Sequence, residues 1–273
     1  MREGAGMSAA ASKERAAESA TLMTVERGLE VLRAFRSDRA PLTNAELVRR
    51  TGLPKATVSR LTSTLLQVGF LRLVPGKREF ELSTGALGIG HAYLATNDML
   101  QAAQSLMQEF ADRFGVSVAL GIQDGIDMLY VGYRVSRTVA TLRLGVGSML
   151  PMATTSIGRA YLWGLPPEQR RALIEEHKRR AGPQGEALER SIMTSFEELE
   201  TMGTCAVLSG FQRGTYGVAL PIRIGREGIP MGLSFGKADV DLDLQAEHAR
   251  IAPALKEAAR RLQALLADFD GHL

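Results

Sequence analysis

Apolar positions recur at helical spacing towards both ends of the chain and alternate with polar ones through much of its middle. Thr24 is placed to cap a helix reaching about Phe35, with Val25, Leu29, Leu32 and Val31 or Phe35 as one buried stripe. Residues 37–41 break that pattern. Thr43-Asn44-Ala45-Glu46 then has the form of a capping box, Thr43 at N-cap and Glu46 at N3. Leu42 and Leu47 flank it as a hydrophobic staple. Gly52 supplies a left-handed position after this short helix, and Pro54 opens the next, where its missing N–H costs nothing. The second helix runs to about Val68 and is closed by Gly69. Val58, Leu61 and Leu65 share one of its faces, while Ala56, Ser59, Arg60 and Ser63 share the other, with Lys55 at the N-terminal end. Two short strand-like runs, 70–74 and 79–82, flank the turn Pro75-Gly76-Lys77-Arg78.

Residues 84–97 read as a linker helix weakened by Gly85, Gly88 and Gly90, which either admit a close partner helix or simply make a poor one. From Asp98 an amphipathic helix carries Leu100, Ala103, Leu106 or Met107, Phe110 and Phe114, and Gly115 ends it. Strand-like runs follow at 116–122, 128–135 and 140–144, then a loop over 145–151. Helices are predicted over 154–165 and 167–180. Ser195-Phe196-Glu197-Glu198 predicts a second capping box that opens a short helix before Gly203. Further strands fall at 205–209, 216–224 and 231–235, with a hairpin turn at 225–228, and a long helix over 243–269 closes the pattern. Meanders mixed with helices give an α+β fold, an antiparallel sheet flanked by helices.

Composition changes this picture in two ways. The 273 residues contain 45% hydrophobic and 23% charged side chains, which excludes wholesale disorder, collagen and a disulfide scaffold. The net charge of +3 is unevenly placed. Residues 1–82 hold 14 Lys/Arg against 9 Asp/Glu, residues 83–273 hold 19 against 21, and no acid lies between Arg49 and Arg78. Positive charge therefore belongs to the N-terminal third, which suits nucleic acid. The single cysteine, Cys205, cannot form an internal disulfide and reads as a buried structural thiol in a cytoplasmic protein. Residues 1–20 read as a disordered tail without the apolar core of a secretory signal, and Met7 is an alternative start. No apolar run is long enough to span a membrane, so no membrane partner is expected.

Helix, helix, recognition helix and hairpin form a winged helix-turn-helix, with small polar groups and Arg60 facing a major groove and Lys77 and Arg78 on the wing reaching phosphates or a minor groove. A small helical protein-interaction domain is the alternative. No catalytic constellation is found. Gly145-Val146-Gly147 lacks the third glycine of a dinucleotide fingerprint, and neither Ser209-Gly210 nor Gly147-Ser148 makes a nucleophile elbow. His91, His177, His248 and His272 show no metal-ligand spacing, so no metal or cofactor is expected. Thr154, Thr155 and Ser156 open a helix after a loop, where free N–H groups hold a carboxylate or where an ordinary N-cap stands.

Four stretches together resemble the IclR family of transcriptional regulators. They are Thr24-Val25-Glu26-Arg27-Gly28-Leu29-Glu30-Val31-Leu32; Leu42-Thr43-Asn44-Ala45-Glu46-Leu47 with Thr51-Gly52-Leu53-Pro54-Lys55-Ala56-Thr57-Val58-Ser59-Arg60-Leu61; Leu144-Gly145-Val146-Gly147-Ser148-Met149-Leu150-Pro151 through Gly158-Arg159-Ala160; and Gly217-Val218-Ala219-Leu220-Pro221-Ile222. The resemblance implies a winged helix-turn-helix over 21–83, a linker helix over 84–97 and a GAF-like effector-binding domain over 98–273. It implies homodimers or homotetramers on an operator in double-stranded DNA, controlling a catabolic operon in response to a small organic or aromatic acid. The DNA-contacting candidates, read from the caps, the exposed helix face and the wing, are Thr43, Asn44, Lys55, Ala56, Thr57, Ser59, Arg60, Ser63, Lys77 and Arg78. The effector set that the resemblance implies is Val139, Leu142, Leu150, Ser156, Ile157, Thr215, Gly217 and Ser234. Some members carry Cys where Gly217 stands and an acid near Val207 to Ser209; the uncharged residues here point to a more apolar pocket. Tyr216 and Phe235 are expected to add ring surface, favouring an aromatic or larger carboxylic acid. Two other readings are a metabolic enzyme with a helical appendage and a sensor acting through protein contacts alone.

Overall fold

The computed structural model describes residues 23–35, 41–139, 144–238 and 243–270 and divides the chain into two compact units that meet between Tyr93 and Leu94. In the first unit α1 covers residues 23–33. β1 (Leu42–Thr43) leads into α2 (Asn44–Thr51), α3 (Lys55–Gln67), β2 (Leu71–Leu73) and β3 (Glu79–Leu82). The wing has three strands, because β1 pairs with β3 through Leu42↔Phe80. Val31, Leu42, Leu47, Val58, Leu61, Leu71 and Phe80 make one small core. The expected stripe of α1 is corrected here. Val31 and Ala34 are buried, whereas Val25 and Leu29 lie on the opposite side of the helix and stay exposed. Gly85 opens α4 (Thr84–Thr96) against Gly69; a Cβ there would fall 2.7 Å from the Gly69 carbonyl oxygen, so the close approach requires glycine.

The second unit contains α5 (Asp98–Phe114), β4 (Ser117–Asp124), β5 (Asp127–Val135), β6 (Met149–Pro151), α6 (Ser156–Gly164), α7 (Pro167–Ala181), α8 (Gly185–Met202), β7 (Cys205–Leu208), β8 (Thr215–Ile224), β9 (Ile229–Ala238) and α9 (Leu244–Leu265). The strands form one antiparallel sheet in the order β6-β5-β4-β9-β8-β7. Side chains alternate across it. One face carries Val118, Leu120, Tyr216, Val218, Leu220 and Phe235 against α5 and α9. The other carries Ala119, Tyr130, Tyr133 and Ala219 against α6 and α8. On the first face Phe110, Phe114 and Phe235 lie with ring centroids 6.0 to 6.4 Å apart. The edge strand β7 is blunted, since the Glu198 carboxylate accepts the Ala206 N–H at 2.9 Å.

Two predicted elements are replaced. Met149–Pro151 pairs with β5, so the end of the expected loop is a strand. α8 is continuous through Ser195, and the box motif there opens no helix. Ser195 is buried and its hydroxyl accepts from Arg159 instead, a long-range bond that outweighs the local motif. The expected strand at 140–144 falls almost wholly outside the described residues.

Candidate nucleic-acid interface and ligand pocket

The predicted cap of α2 is present in one direction. Thr43 Oγ1 accepts the Glu46 N–H at 3.1 Å. The reciprocal bond is replaced, because Arg49 and Arg50 donate to the Glu46 carboxylate at 2.6 to 2.8 Å. Those two guanidinium groups hold the Glu46 carboxyl down at about 2. Arg50 also donates to the Ala34 carbonyl at 2.9 Å and ties α2 to the end of α1.

α3 buries Val58, Leu61 and Thr62 and exposes Lys55, Ala56, Ser59, Arg60 and Ser63, while Thr57 is half-buried. Asn44, half-buried at the start of α2, donates to Ser59 Oγ at 2.9 Å. Two of the sequence-predicted contacts therefore bind each other and brace the helix-turn-helix. On the wing Lys77 pairs with Glu79 at 3.4 Å, and Arg78 is exposed. Among the described residues Lys55, Arg60 and Arg78 have no acidic partner within 4.0 Å. The result is an exposed basic face on one helix and one hairpin turn.

The pocket of the second unit lies on the α6 face of the sheet. Its walls come from Leu150, Thr155, Ser156, Ile157, Thr215, Gly217 and Ser234, together with Tyr130, Phe211 and Gly210, and it encloses about 50 Å³. Of the sequence-predicted effector residues, Val139 does not line it and Leu142 lies outside the described residues. The rings expected from Tyr216 and Phe235 are corrected: Phe235 does not line the pocket, and Tyr216, which does, packs its ring into the opposite core and donates its hydroxyl to Glu247. Thr215, Gly217 and Ser234 face the pocket, so a period of two sends their neighbours away from it. Tyr130 and Phe211 supply the rings instead. Burial pushes the Tyr130 phenol up, and it is hydrogen-bonded to Ser234.

Three hydroxyls open α6, and two are occupied. Thr154 Oγ1 donates to Gly210 O and Thr155 Oγ1 to Pro151 O, both at 2.7 Å. Thr155 also caps Gly158 N–H. Ser156 Oγ has no partner among the described residues and faces Gly217, where a Cβ would come within 2.5 Å of it. The N–H groups of Ser156 and Ile157 stand in the first turn, which has no intrahelical acceptor. Among the described residues no ionised side chain lines the pocket. Backbone of Met152 passes so close to α6 that a Cβ on Gly158 would fall 2.1 Å from its carbonyl oxygen.

Cys205 is buried, and burial pushes its thiol up. His177 and His248 are buried on different helices, His91 is exposed, and His272 lies outside the described residues. Among the described residues no three His, Cys, Asp or Glu side chains group to hold a metal ion, and no helix is long and apolar enough to cross a membrane.

Residues 24–75 match the model of the IclR helix-turn-helix domain, and residues 91–264 match that of the bacterial transcriptional regulator IclR C-terminal domain. The chain is 29% identical over 243 residues to the HTH-type transcriptional regulator TsaQ1/TsaQ2 of Comamonas testosteroni, covering 88% of this chain and 87% of that protein. It is 26% identical to the Pca regulon regulatory protein of Pseudomonas putida, covering 74% and 69%. Among solved structures, an IclR family transcriptional regulator from Brucella abortus superposes with a TM-score of 0.79 at 30% identity, covering 88% and 91%. An IclR homolog from Microbacterium hydrocarbonoxydans, complexed with 4-hydroxybenzoate, gives 0.62 at 22% identity, covering 89% and 98%, and so shares the fold.

Proposed function

The chain belongs to the IclR family of transcriptional regulators, and from that premise we propose that it binds an operator through α3 and the wing under control of an organic acid held at the start of α6. The observation that carries the DNA half is Arg60, an exposed residue whose guanidinium has no acidic partner among the described residues, central on a helix face of small side chains. Such a group reads guanine O6 and N7 bidentately, while Lys55, Lys77 and Arg78 neutralise phosphates. Arg60→Ala is expected to weaken operator binding by about 1–3 kcal/mol in a gel-shift titration. Unchanged affinity removes Arg60 from the reading set. One relative is named for the regulon it controls, the Pca regulon, and control of a catabolic operon is the corresponding reading proposed here.

Self-association is the second part of the proposal. α4 buries none of its side chains, and Leu87 and Ile89 are 72% and 63% exposed. An apolar helix left in water favours a second copy of itself. Sedimentation equilibrium is expected to give at least twice the 29.5 kDa chain mass, and a monomer at micromolar concentration refutes the pairing. Two copies would present two α3 helices to half-sites of a near-palindromic operator.

The acid half rests on Ser156 Oγ and the first-turn N–H groups of Ser156 and Ile157, two residues that line a pocket with no acidic side chain among the described residues. A cavity of about 50 Å³ takes the room of roughly four water molecules, which fits a compact carboxylate. The rings of Tyr130 and Phe211 favour a second reading, an aromatic acid packed against them. A thermal-shift series with propionate, pyruvate, benzoate and 4-hydroxybenzoate decides between them, because a ligand of the native state raises its stability. Stabilisation by the compact acids alone supports the first reading, by the aromatic pair the second, and by none refutes both. Effector binding would then shift the balance between DNA-binding and non-binding conformations by its differential affinity for the two.

A further inference from the structure

Gly158-Arg159-Ala160 carries one group that the reading above leaves without a task. Arg159 is 7% exposed. Its guanidinium donates to Ala153 O at 2.9 Å, Ser191 O at 2.9 Å, Ser191 Oγ at 2.7 Å and Ser195 Oγ at 3.0 Å. All four acceptors are neutral. Among the described residues no carboxylate lies within 4.0 Å of it. The Glu198 carboxylate acts on Arg159 only through space, and it accepts the Ala206 N–H.

A guanidinium stays protonated even when buried. This one therefore places a full positive charge in a region of low dielectric, answered by dipoles rather than by an anion. Arg159 itself does not line the pocket, but it shares α6 with the lining residues Ser156 and Ile157. Arg159 follows Ser156 by three positions, which puts the two on one side of α6 a single turn apart. The N-terminal end of α6 adds partial positive charge of its own. Arg159 also grips Ala153 O, in the turn from which the Ser156 and Ile157 N–H groups emerge. Its field extends under the helix, where it favours the thiolate of Cys205 against the dominant effect of burial.

We infer that Arg159 is a positioning residue that gives the pocket its preference for anions: it pins the turn that presents the Ser156 and Ile157 N–H groups and sets an unneutralised cation behind them. The inference rests on the pocket being the ligand site, and its first test needs no ligand.

A thiol placed at the donor position reports the local potential. In full-length protein carrying Cys205→Ala, Ser156→Cys introduces the only sulfhydryl, and its pKa is read from the pH dependence of alkylation by iodoacetamide. The expected value lies below the ordinary 8.5 or so of a free cysteine. Adding Arg159→Met is expected to raise it by about one unit, and Arg159→Lys to restore most of the depression. Arg159→Met also strands buried acceptors and can fail to fold. Ser191→Asp covers that outcome, because it sets a carboxylate beside the intact guanidinium from an exposed position on α8. The added carboxylate tests whether a charge at this place reaches the donor position, and the inference predicts a rise in the Ser156→Cys thiol pKa on Ser191→Asp that the uncharged Ser191→Asn does not give. An unmoved thiol pKa in folded Ser191→Asp protein overturns it.

Propionate and propionamide, titrated by NMR, then separate charge from shape. The preference for propionate is expected to fall severalfold in Ser191→Asp, and equal losses for both probes overturn the assignment. If wild-type protein binds neither, the compact-acid reading falls on its own, while the thiol measurement still decides the role of Arg159.

Discussion

Gly158→Val abolishes the stable fold of the second unit. The Cβ would lie 2.1 Å from Met152 O, 2.5 Å from its Cα and 2.6 Å from its carbonyl carbon. All three are backbone atoms, so no rotamer relieves the clash. The strand-to-helix turn over Met152–Thr155 is itself held by Thr155 Oγ1 on Pro151 O and by Arg159 on Ala153 O. Either the turn moves, and takes the first turn of α6 with it, or the helix lifts from the sheet. The expected cost exceeds about 4 kcal/mol, against a total of about 5–15 kcal/mol for a typical domain. Urea denaturation followed by circular dichroism measures it. Even Gly158→Ala introduces the same Cβ, and a midpoint unchanged in that variant would show that Met152 does not pass this close.

The second large effect is Phe110→Ala, for which a loss of about 3–5 kcal/mol is expected. Phe110 is fully buried on α5, between the rings of Phe114 and Phe235 and beneath the guanidinium of Arg261 at 5.3 Å from its centroid. Truncation removes the ring contacts and leaves a cavity that α5, β9 and α9 cannot all collapse to fill. Phe110→Leu removes less volume and is expected to cost clearly less. Equal midpoints for wild type and Phe110→Ala in a urea titration would place Phe110 outside the core.

The contrast between these two residues shows what is legible in sequence. Phe110 belongs to a stripe at helical spacing, and its burial follows from that pattern alone. Gly158 is locally a glycine in a helix, which propensity scores as a weakness; its need appears only when Met152 is laid against it. The same division runs through both sites. Thr43 as a cap and the exposed side of α3 are local and were readable. The Asn44–Ser59 bond spans 15 residues, and no period predicts it. Ser195 matched a local box, yet Arg159 from another helix claims its hydroxyl. In the pocket, Thr215, Gly217 and Ser234 came with a parity that already turns Tyr216 and Phe235 away. Tyr130 was harder, because a bulge between Leu120 and Gly121 resets the pairing of β4 with β5 and with it the side on which each residue falls. β1, two residues long, is too short for any periodicity to mark.

The alternation along β8 and β9 has an evolutionary reach. Positions 215, 217 and 234 can be recut without disturbing the residues beside them in sequence, which answer to a different layer of packing. On the proposed reading of the pocket, ligand choice and folding are written on interleaved letters of the same two strands. A lineage would then drift from one ligand to another by point changes, and a library randomised at Thr215, Gly217 and Ser234 would vary the pocket while Tyr216, Val218 and Phe235 keep the apolar layer behind the sheet intact.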